Sequence, residues 1–249
     1  MNIVVCVKHV PDTESKITIG GDNCSWDPSG LEYILNPYDE YAVEEALKIK
    51  EEKGGEVIIL ILGPENSTKT IRTCLAMGAD RAIHLTDENP IRDAGAVAEI
   101  LATAIKEIPH DIIFLGKQSV DLDNAQVGLM IAGHLNIPAV SEIVSMECGD
   151  ASATVKRNIE GGIEVYEVSF PAVFTAQKGL NDPRYASLKG IMAAKKKSID
   201  AGEFADIAAK VTVVKLEYPP ARPEGKIVGE GAEAVSALFG LLKDEAKVL

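Results

Sequence analysis

The chain is 249 residues long, with 46% hydrophobic residues and 38 acidic against 25 basic side chains, for a formal net charge of −13. That balance excludes a general nucleic-acid-binding protein, which needs a basic footprint, while length and apolar content allow one large domain or a domain with an appendage. No apolar run approaches the ~20 residues that cross a bilayer, and the opening MNIVVCVKHV has no basic n-region, long apolar stretch or cleavage site, so it reads as a strand rather than a secretion signal.

Ile3 to Val7 is a short β-branched run of the kind buried in a parallel sheet. Residues 11–35 are irregular and rich in turn formers, with a hairpin expected around Gly20-Gly21. Asn36-Pro37 opens a helix whose acids fill the first turn, whose lysines sit near its end, and which Gly54-Gly55 stops. Val57 to Leu62 is a second buried strand, and Asn66 or Ser67 is placed to cap a helix over 67–77 ended by Gly78. A strand at Arg81 to Leu85, an Ala-rich helix over 94–107, a strand at Asp111 to Leu115 and a helix over 124–135 continue the alternation. Parallel strands need crossovers, and crossovers cover both faces of a sheet. The expected fold class is therefore α/β, a mostly parallel sheet with helices on both faces.

The pattern changes after Pro138. Residues 144–176 read as consecutive strands, with Gly161-Gly162 as a hairpin signal, and predict an antiparallel extension on the parallel core that ends in AVFTA. Residues 177–197 are a mixed loop and short helix closing on Lys195-Lys196-Lys197, a phosphate or membrane patch or simply a solvated helix end. Val211 to Leu216 reads as one more strand, followed by a Pro- and Gly-rich linker and an amphipathic helix over 230–247. The division expected is a nucleotide-binding α/β domain over 1–217, carrying a loop at 178–197, and a C-terminal arm and helix over 218–249 that lacks its own core and packs on something else.

Ligands of open α/β sheets sit beyond the carboxyl ends of the strands. Four segments fall there: Cys6 to Thr13, Asn36 to Asp39, Leu62 to Glu65, and Gly116 to Val127. In the last, LGKQSVDLDNAQVG, Gly116 permits close backbone approach, Lys117 adds charge, Ser119, Asn124 and Gln126 offer neutral donors, and the N–H groups at Asn124 to Val127 suit an anion. The residues alone leave two readings open, a phosphate cradle or a helix merely capped by Asp123 or Asn124. No GxGxxG follows the first strand and no GxxxxGK[ST] occurs. His9, His84, His110 and His134 are scattered, with no nucleophile elbow and no acid–base pair, so no catalytic residue is expected. Cys6, Cys24, Cys74 and Cys148 include no CxxC pair, which argues for reduced thiols in a cytoplasmic protein and against a metal site. In LNDPRYASLKGIM, Leu188 and Ile191 stand among charges and turn formers, the composition of a transient docking site.

Four stretches together resemble the beta subunit of an electron-transfer flavoprotein nearly end to end: VCVKHVPDT, NPYDEYAVEEAL, LGKQSVDLDNAQVG, and VKRNIEGGIEVYEVSFPAVFTA with the following LNDPRYASLKGIMAAKKK. The resemblance implies a Rossmann-like, adenine-nucleotide-binding fold and an obligate heterodimer with an alpha subunit. A shared FAD would carry electrons from an acyl-CoA dehydrogenase-type donor to a quinone oxidoreductase or ferredoxin-type acceptor, with no direct membrane insertion and no substrate turnover by this chain. AMP is implied at Cys6, at Asn36, Pro37, Tyr38 and Asp39, at Leu62 and Gly63, and along Gly116, Lys117, Gln118, Ser119, Val120, Asp121, Leu122, Asp123, Asn124, Ala125, Gln126 and Val127. Donor docking is implied at Arg184, Tyr185, Leu188, Ile191 and Met192, with Leu188 as the anchor.

Two departures bear on the nucleotide. The run Asp123-Asn124-Ala125-Gln126-Val127, together with Tyr38-Asp39, is similar to electron-bifurcating members, whose beta subunit holds a second FAD. Arg92 to Ala98, RDAGAVA, lacks the threonines with which that branch contacts the extra flavin. AMP is the leading expectation, a second FAD in its place the alternative, and a free-standing adenine-nucleotide-binding domain the remote one.

Overall fold

The first strand, β1 (Asn2–Val7), starts at the second residue and is buried along nearly its whole length, as five consecutive apolar residues require. The computed structural model describes residues 1–89, 91–222 and 224–249. After β1 come β2 (His9–Pro11), β3 (Tyr33–Leu35), α1 (Pro37–Lys53), β4 (Glu56–Gly63), α2 (Thr68–Met77), β5 (Arg81–Thr86), α3 (Ala94–Lys106), β6 (Ile112–Gly116) and α4 (Val127–Leu135). The second half adds β7 (Ala139–Cys148), β8 (Ser152–Ile159), β9 (Gly162–Ser169), β10 (Ala172–Ala176), α5 (Leu188–Ala194), β11 (Ile199–Gly202) and α6 (Val235–Gly240). By contacts the chain divides into two units, Met1–Leu216 and Glu217–Leu249.

Among the described residues, nine strands form one sheet in the order β11-β5-β4-β1-β6-β10-β7-β8-β9. Neighbours from β11 through β7 run parallel, while β7 with β8 and β8 with β9 run antiparallel. Side chains alternate across a strand, so Ile3, Val5, Ile59, Ile61 and Phe114 enter a core with α1 and α2. Val4, Cys6, Ile58, Leu60 and Ile113 enter a second core with α3 and α4. The chain is thus a mostly parallel α/β structure with helices on both faces and an antiparallel part, as the alternating pattern predicts.

Helix α1 obeys its end signals: Pro37 opens it, Asp39 and Glu40 lie in its first turn, Lys50 and Lys53 in its last, and Gly54 caps it at φ 75°. The turn at Glu160-Gly161 closes the β8–β9 hairpin, with Ile159 paired to Gly162. An antiparallel bridge from Ile19 to Trp26 brackets the turn expected at Gly20-Gly21.

Several expectations are corrected. AVFTA, assigned to the end of the antiparallel run, is β10, wholly buried and inserted between β6 and β7, parallel to both. The helix expected from residue 124 starts at Val127, because Asp123 and Ala125 take φ of 52° and 51°, a left-handed backbone that a right-handed helix cannot contain. Ser67 does not cap α2 with its side chain: it lies in a single 3₁₀ turn, Glu65–Ser67, in αR geometry, and its Oγ is buried without a hydrogen-bond partner. Val211 to Leu216 forms no strand. Val211 and Val214 are exposed, and β propensity without a neighbouring ladder does not make a strand. The short strands β2, β3 and β11 escaped the sequence reading.

In the second unit a 3₁₀ turn (Ala232–Ala234), α6 and a π turn (Leu241–Glu245) follow one another, and no described residue from 217 to 249 is buried. Among the described residues no helix is long and apolar enough to cross a membrane.

The centre of the sheet carries a testable load. Phe174 is fully buried beside Phe114, their ring centroids 5.9 Å apart. Phe174→Ala should lower unfolding free energy by about 3–5 kcal/mol in urea titration, the cost of emptying such a site.

Candidate functional site

Strand β1 has β4 on one side and β6 on the other, so the chain's crossovers diverge around it and leave a crevice beyond its carboxyl end. A cavity of about 140 Å³ lies there, roughly ten times the ~10–15 Å³ that one water needs. Its walls include Cys6, Leu62 and Gly63 from β1 and β4, Leu115 and Gly116 from β6, the loop that follows, and Val97 and Leu101 from α3.

The start of α1 shapes this cavity. Asn36 donates from Nδ2 to the Gln118 carbonyl (2.9 Å) and accepts at Oδ1 from the Val120 N–H (3.2 Å), holding the loop after β6 at two points. Asp39 accepts from the Lys8 N–H (2.7 Å) and the Gly116 N–H (2.9 Å), joining the ends of β1 and β6. Burial pushes the Asp39 carboxyl up to about 7, against hydrogen bonds from Asn36, Lys8 and Gly116 that favour its ionised form. Gly116 is needed for this contact rather than for a ligand alone, since a Cβ there would lie 2.5 Å from Asp39 Oδ1 and 2.6 Å from Tyr38 Cβ.

Much of the loop's charge is already paired. Lys8 Nζ meets Asp121 at 2.7 Å and Ser119 Oγ at 3.4 Å, and Gln118 donates to Asp123 (2.7 Å). Lys117 faces Glu142 at 3.8 Å and lies 5.3 Å from the centre of the Tyr38 ring. The side chains of Asn124 and Gln126 line the cavity and make no hydrogen bond among the described residues. Nor do the N–H groups of Asn124, Ala125 and Gln126 find an acceptor there. Positive φ at Asp123 and Ala125 next to the αR backbone of Gln126 is the alternation that makes a concave anion-binding nest. With the first turn of α4 behind it and Leu62, Val97, Leu101 and Leu115 beside it, the cavity suits a ligand with one anionic and one flat apolar part.

Of the residues expected at this site, Cys6, Asn36, Asp39, Leu62, Gly63, Gly116 to Ser119, Leu122 and Asn124 to Val127 line the cavity. Pro37, Tyr38, Val120, Asp121 and Asp123 are not part of the lining, though Val120, Asp121 and Asp123 bond to the lining residues Asn36, Lys8 and Gln118. The expected cap by Asp123 or Asn124 is not formed, because α4 starts after Gln126, which makes no side-chain cap bond either. The sequence reading passed over Asp87 and Asn89, and it included Lys8 and Arg92 only as members of the segments Cys6 to Thr13 and Arg92 to Ala98 without singling them out. Asp87 follows β5, a fourth strand end to which the same rule applied. It pairs with Arg92 at 2.6 Å, and Arg92 reaches Asp206 at 3.0 Å.

None of the histidines is among the residues lining the cavity. His9 bonds Thr70 Oγ1 through Nδ1 (2.7 Å) and stacks on Tyr33 at 4.8 Å. Burial, with Lys69 and His84 nearby, lowers it to about 4, so it is neutral at physiological pH. His84 Nε2 is 3.0 Å from the Gly63 carbonyl. Burial pushes the Cys6 thiol far up, which keeps it protonated. Among the described residues no cluster of His, Cys, Asp and Glu could hold a metal.

A second surface stands around α5. Tyr185, Leu188 and Met192 are 98%, 83% and 71% exposed, and Ile191 is nearly half exposed. Arg184, expected to face a partner, instead turns inward to Glu44 and Glu51 of α1.

Fold and crevice together define an α/β protein with a cavity at the switch point of a mostly parallel sheet. The description "Electron transfer flavoprotein domain" matches residues 26–207. The electron transfer flavoprotein subunit beta of Bacillus subtilis is 38% identical over the full length of both chains. The mouse protein of the same name is 40% identical over the whole of this chain and 99% of its own, and the mitochondrial one of Oryza sativa 41% over the whole of both. The chain belongs to the electron transfer flavoprotein family, among its beta subunits.

The buried carboxylate gives a test. Between about pH 4 and 7 the folded chain keeps a proton on Asp39 that the unfolded chain, at 3.8, has lost. The stability contributed by this group therefore falls as pH rises through that window, by up to about 1.4 kcal/mol per pH unit. Asp39→Asn should remove this component, so that the difference in unfolding free energy between the two proteins changes with pH from 5 to 7; a constant difference would contradict it.

Proposed function

We propose that this chain is the nucleotide-holding, donor-docking subunit of a heterodimeric electron carrier with no substrate turnover of its own. Its partner is an electron-transfer flavoprotein alpha subunit, and residues 218–249 form an arm that packs on that partner. The FAD shared by the two subunits supplies electron transfer, one electron at a time, from an acyl-CoA dehydrogenase-type donor to a quinone oxidoreductase or ferredoxin-type acceptor. This chain's residues bind, orient and dock. Its four free cysteines suit the reducing cytoplasm.

The observation that carries this reading is the nest at Asp123 to Gln126 beside an apolar slot, which supports AMP with its phosphate on the N–H groups of Asn124 to Val127 and its adenine against Leu62 and Leu115. A second FAD in that place would need further hydrogen-bonding groups along α3. The α3 wall of the cavity is Ala94, Val97 and Leu101, whose side chains offer no hydrogen-bonding group, and Arg92 beside it is already paired with Asp87 at 2.6 Å. Nucleotide extraction from the purified heterodimer should yield one FAD and one AMP; two flavins and no AMP would overturn the AMP reading in favour of electron bifurcation.

For docking, the support is an apolar apex with its largest side chains in water. Leu188→Ala should slow electron transfer from the donor about 5- to 150-fold at limiting carrier, the equivalent of ~1–3 kcal/mol of binding, with flavin content unchanged. Transfer kinetics equal to wild type would remove this surface from the docking role.

A further inference from the structure

The docking apex is a poor candidate for self-support. Helix α5 has seven residues, preceded by coil from Asn181 to Ser187. Isolated helices shorter than about 12–15 residues are marginal in water, and Tyr185, Leu188 and Met192 bury little of their surface. Something outside the segment must hold it.

Two helices do so. On the N-terminal side, Asn181 donates to the Tyr41 carbonyl (3.0 Å) and to Glu45 (2.8 Å). Arg184 then makes a two-pronged contact with Glu44, Nε to Oε2 at 2.8 Å and Nη2 to Oε1 at 2.9 Å, while its own N–H donates to Glu44 Oε2 at 3.1 Å. Its outer nitrogens also reach both oxygens of Glu51. Glu44 and Glu51 are seven residues apart, two turns along one face of α1, so a planar guanidinium can bridge them where an ammonium could not. On the C-terminal side, Arg72 of α2 donates to the Ala194 and Lys197 carbonyls, and Lys197 returns bonds to the Leu75 and Ala79 carbonyls. Between these anchors Gly190 lies flat on α2, where a Cβ would fall 2.3 Å from the Ala76 carbonyl oxygen.

We propose that Arg184 is a positioning residue for donor docking: by clamping the coil before α5 to Glu44 and Glu51, it holds Tyr185, Leu188 and Met192 in the docking pose before a partner arrives. The inference rests on the docking reading above. Its physical content is preorganisation, because a partner that must order a loose segment loses affinity to that ordering. With its guanidinium committed to Glu44 and Glu51, Arg184 acts through the pose of Tyr185, Leu188 and Met192. Its loss therefore weakens recognition without altering the transfer step.

The test uses the heterodimer with a donor dehydrogenase. Arg184→Met should raise the KM for the carrier about tenfold, with kcat within twofold of wild type and flavin content unchanged. The single variant strands the buried Glu44 carboxylate. The double variant Glu44→Met/Arg184→Met leaves no orphan charge and carries the test if the single variant does not accumulate. Limited trypsin cleavage after Lys189 is the second readout, and it should accelerate at least fivefold in the double variant. Unchanged KM or unchanged cleavage at Lys189 overturns the proposal. If Leu188→Ala slows transfer while the double variant leaves KM as it was, positioning fails and docking stands; if Leu188→Ala is also silent, the docking reading itself has failed.

Discussion

Asp39 and Asn36 tie two separate pieces of chain to the start of one helix, and the candidate site depends on that tie. The carboxylate takes backbone N–H groups from the ends of β1 and β6, and the amide beside it grips the loop after β6 at Gln118 and Val120. A carboxylate that accepts two N–H bonds satisfies donors that would otherwise be buried unpaired, at a cost of about 1–3 kcal/mol each. Gly116 completes the arrangement, because any larger residue would push α1 off the strand end. Strand ends, helix start and loop thus take up one geometry together, and the cavity is the space they leave.

The same helix carries a second set of fasteners. Glu44, Glu45 and Glu51 hold the coil before α5 through Arg184 and Asn181. In a chain with a net charge of −13, its buried acids are consumed by structure: Asp39 by backbone, Glu44 by Arg184, Asp87 by Arg92. The two ion pairs, Glu44 with Arg184 and Asp87 with Arg92, contribute little net stability, but breaking one is costly. They serve as geometric locks, and the groups left open to outside molecules are neutral amides, backbone N–H groups and apolar side chains. That division separates two surfaces by chemistry, a polar nest against an apolar slot at the switch point and a hydrophobic apex on α5.

Legibility in the sequence followed how local the cause was. Strands β1, β4 and β6 were readable because burial on both faces demands unbroken β-branched runs, and α1 because its acids, lysines and glycine mark both ends. Strand β11, IDAG, was not: two of its four residues are exposed, and it is a strand only because β5 offers it a free edge. Val211 to Leu216 erred the other way, with the right composition and no neighbour. Three of the strand ends around the cavity were picked out, while Asp87 was passed over because its pairing with Arg92 is assembled across a loop.

By itself the sequence determined the alternation of strands and helices, the placement of ligand-facing loops at strand ends, and, through its long motifs, the family. These follow from periodicity, end signals and motif length, all carried by neighbouring residues. Tertiary structure alone decided which internal partners individual polar residues have. Arg184, expected at the docking surface, pairs with a glutamate 140 positions away, and Asp39, which lines the cavity, also bridges to an N–H group 77 positions away. Local composition shows that a carboxylate or guanidinium needs a partner, and only the packed fold decides which distant group stands within hydrogen-bonding reach.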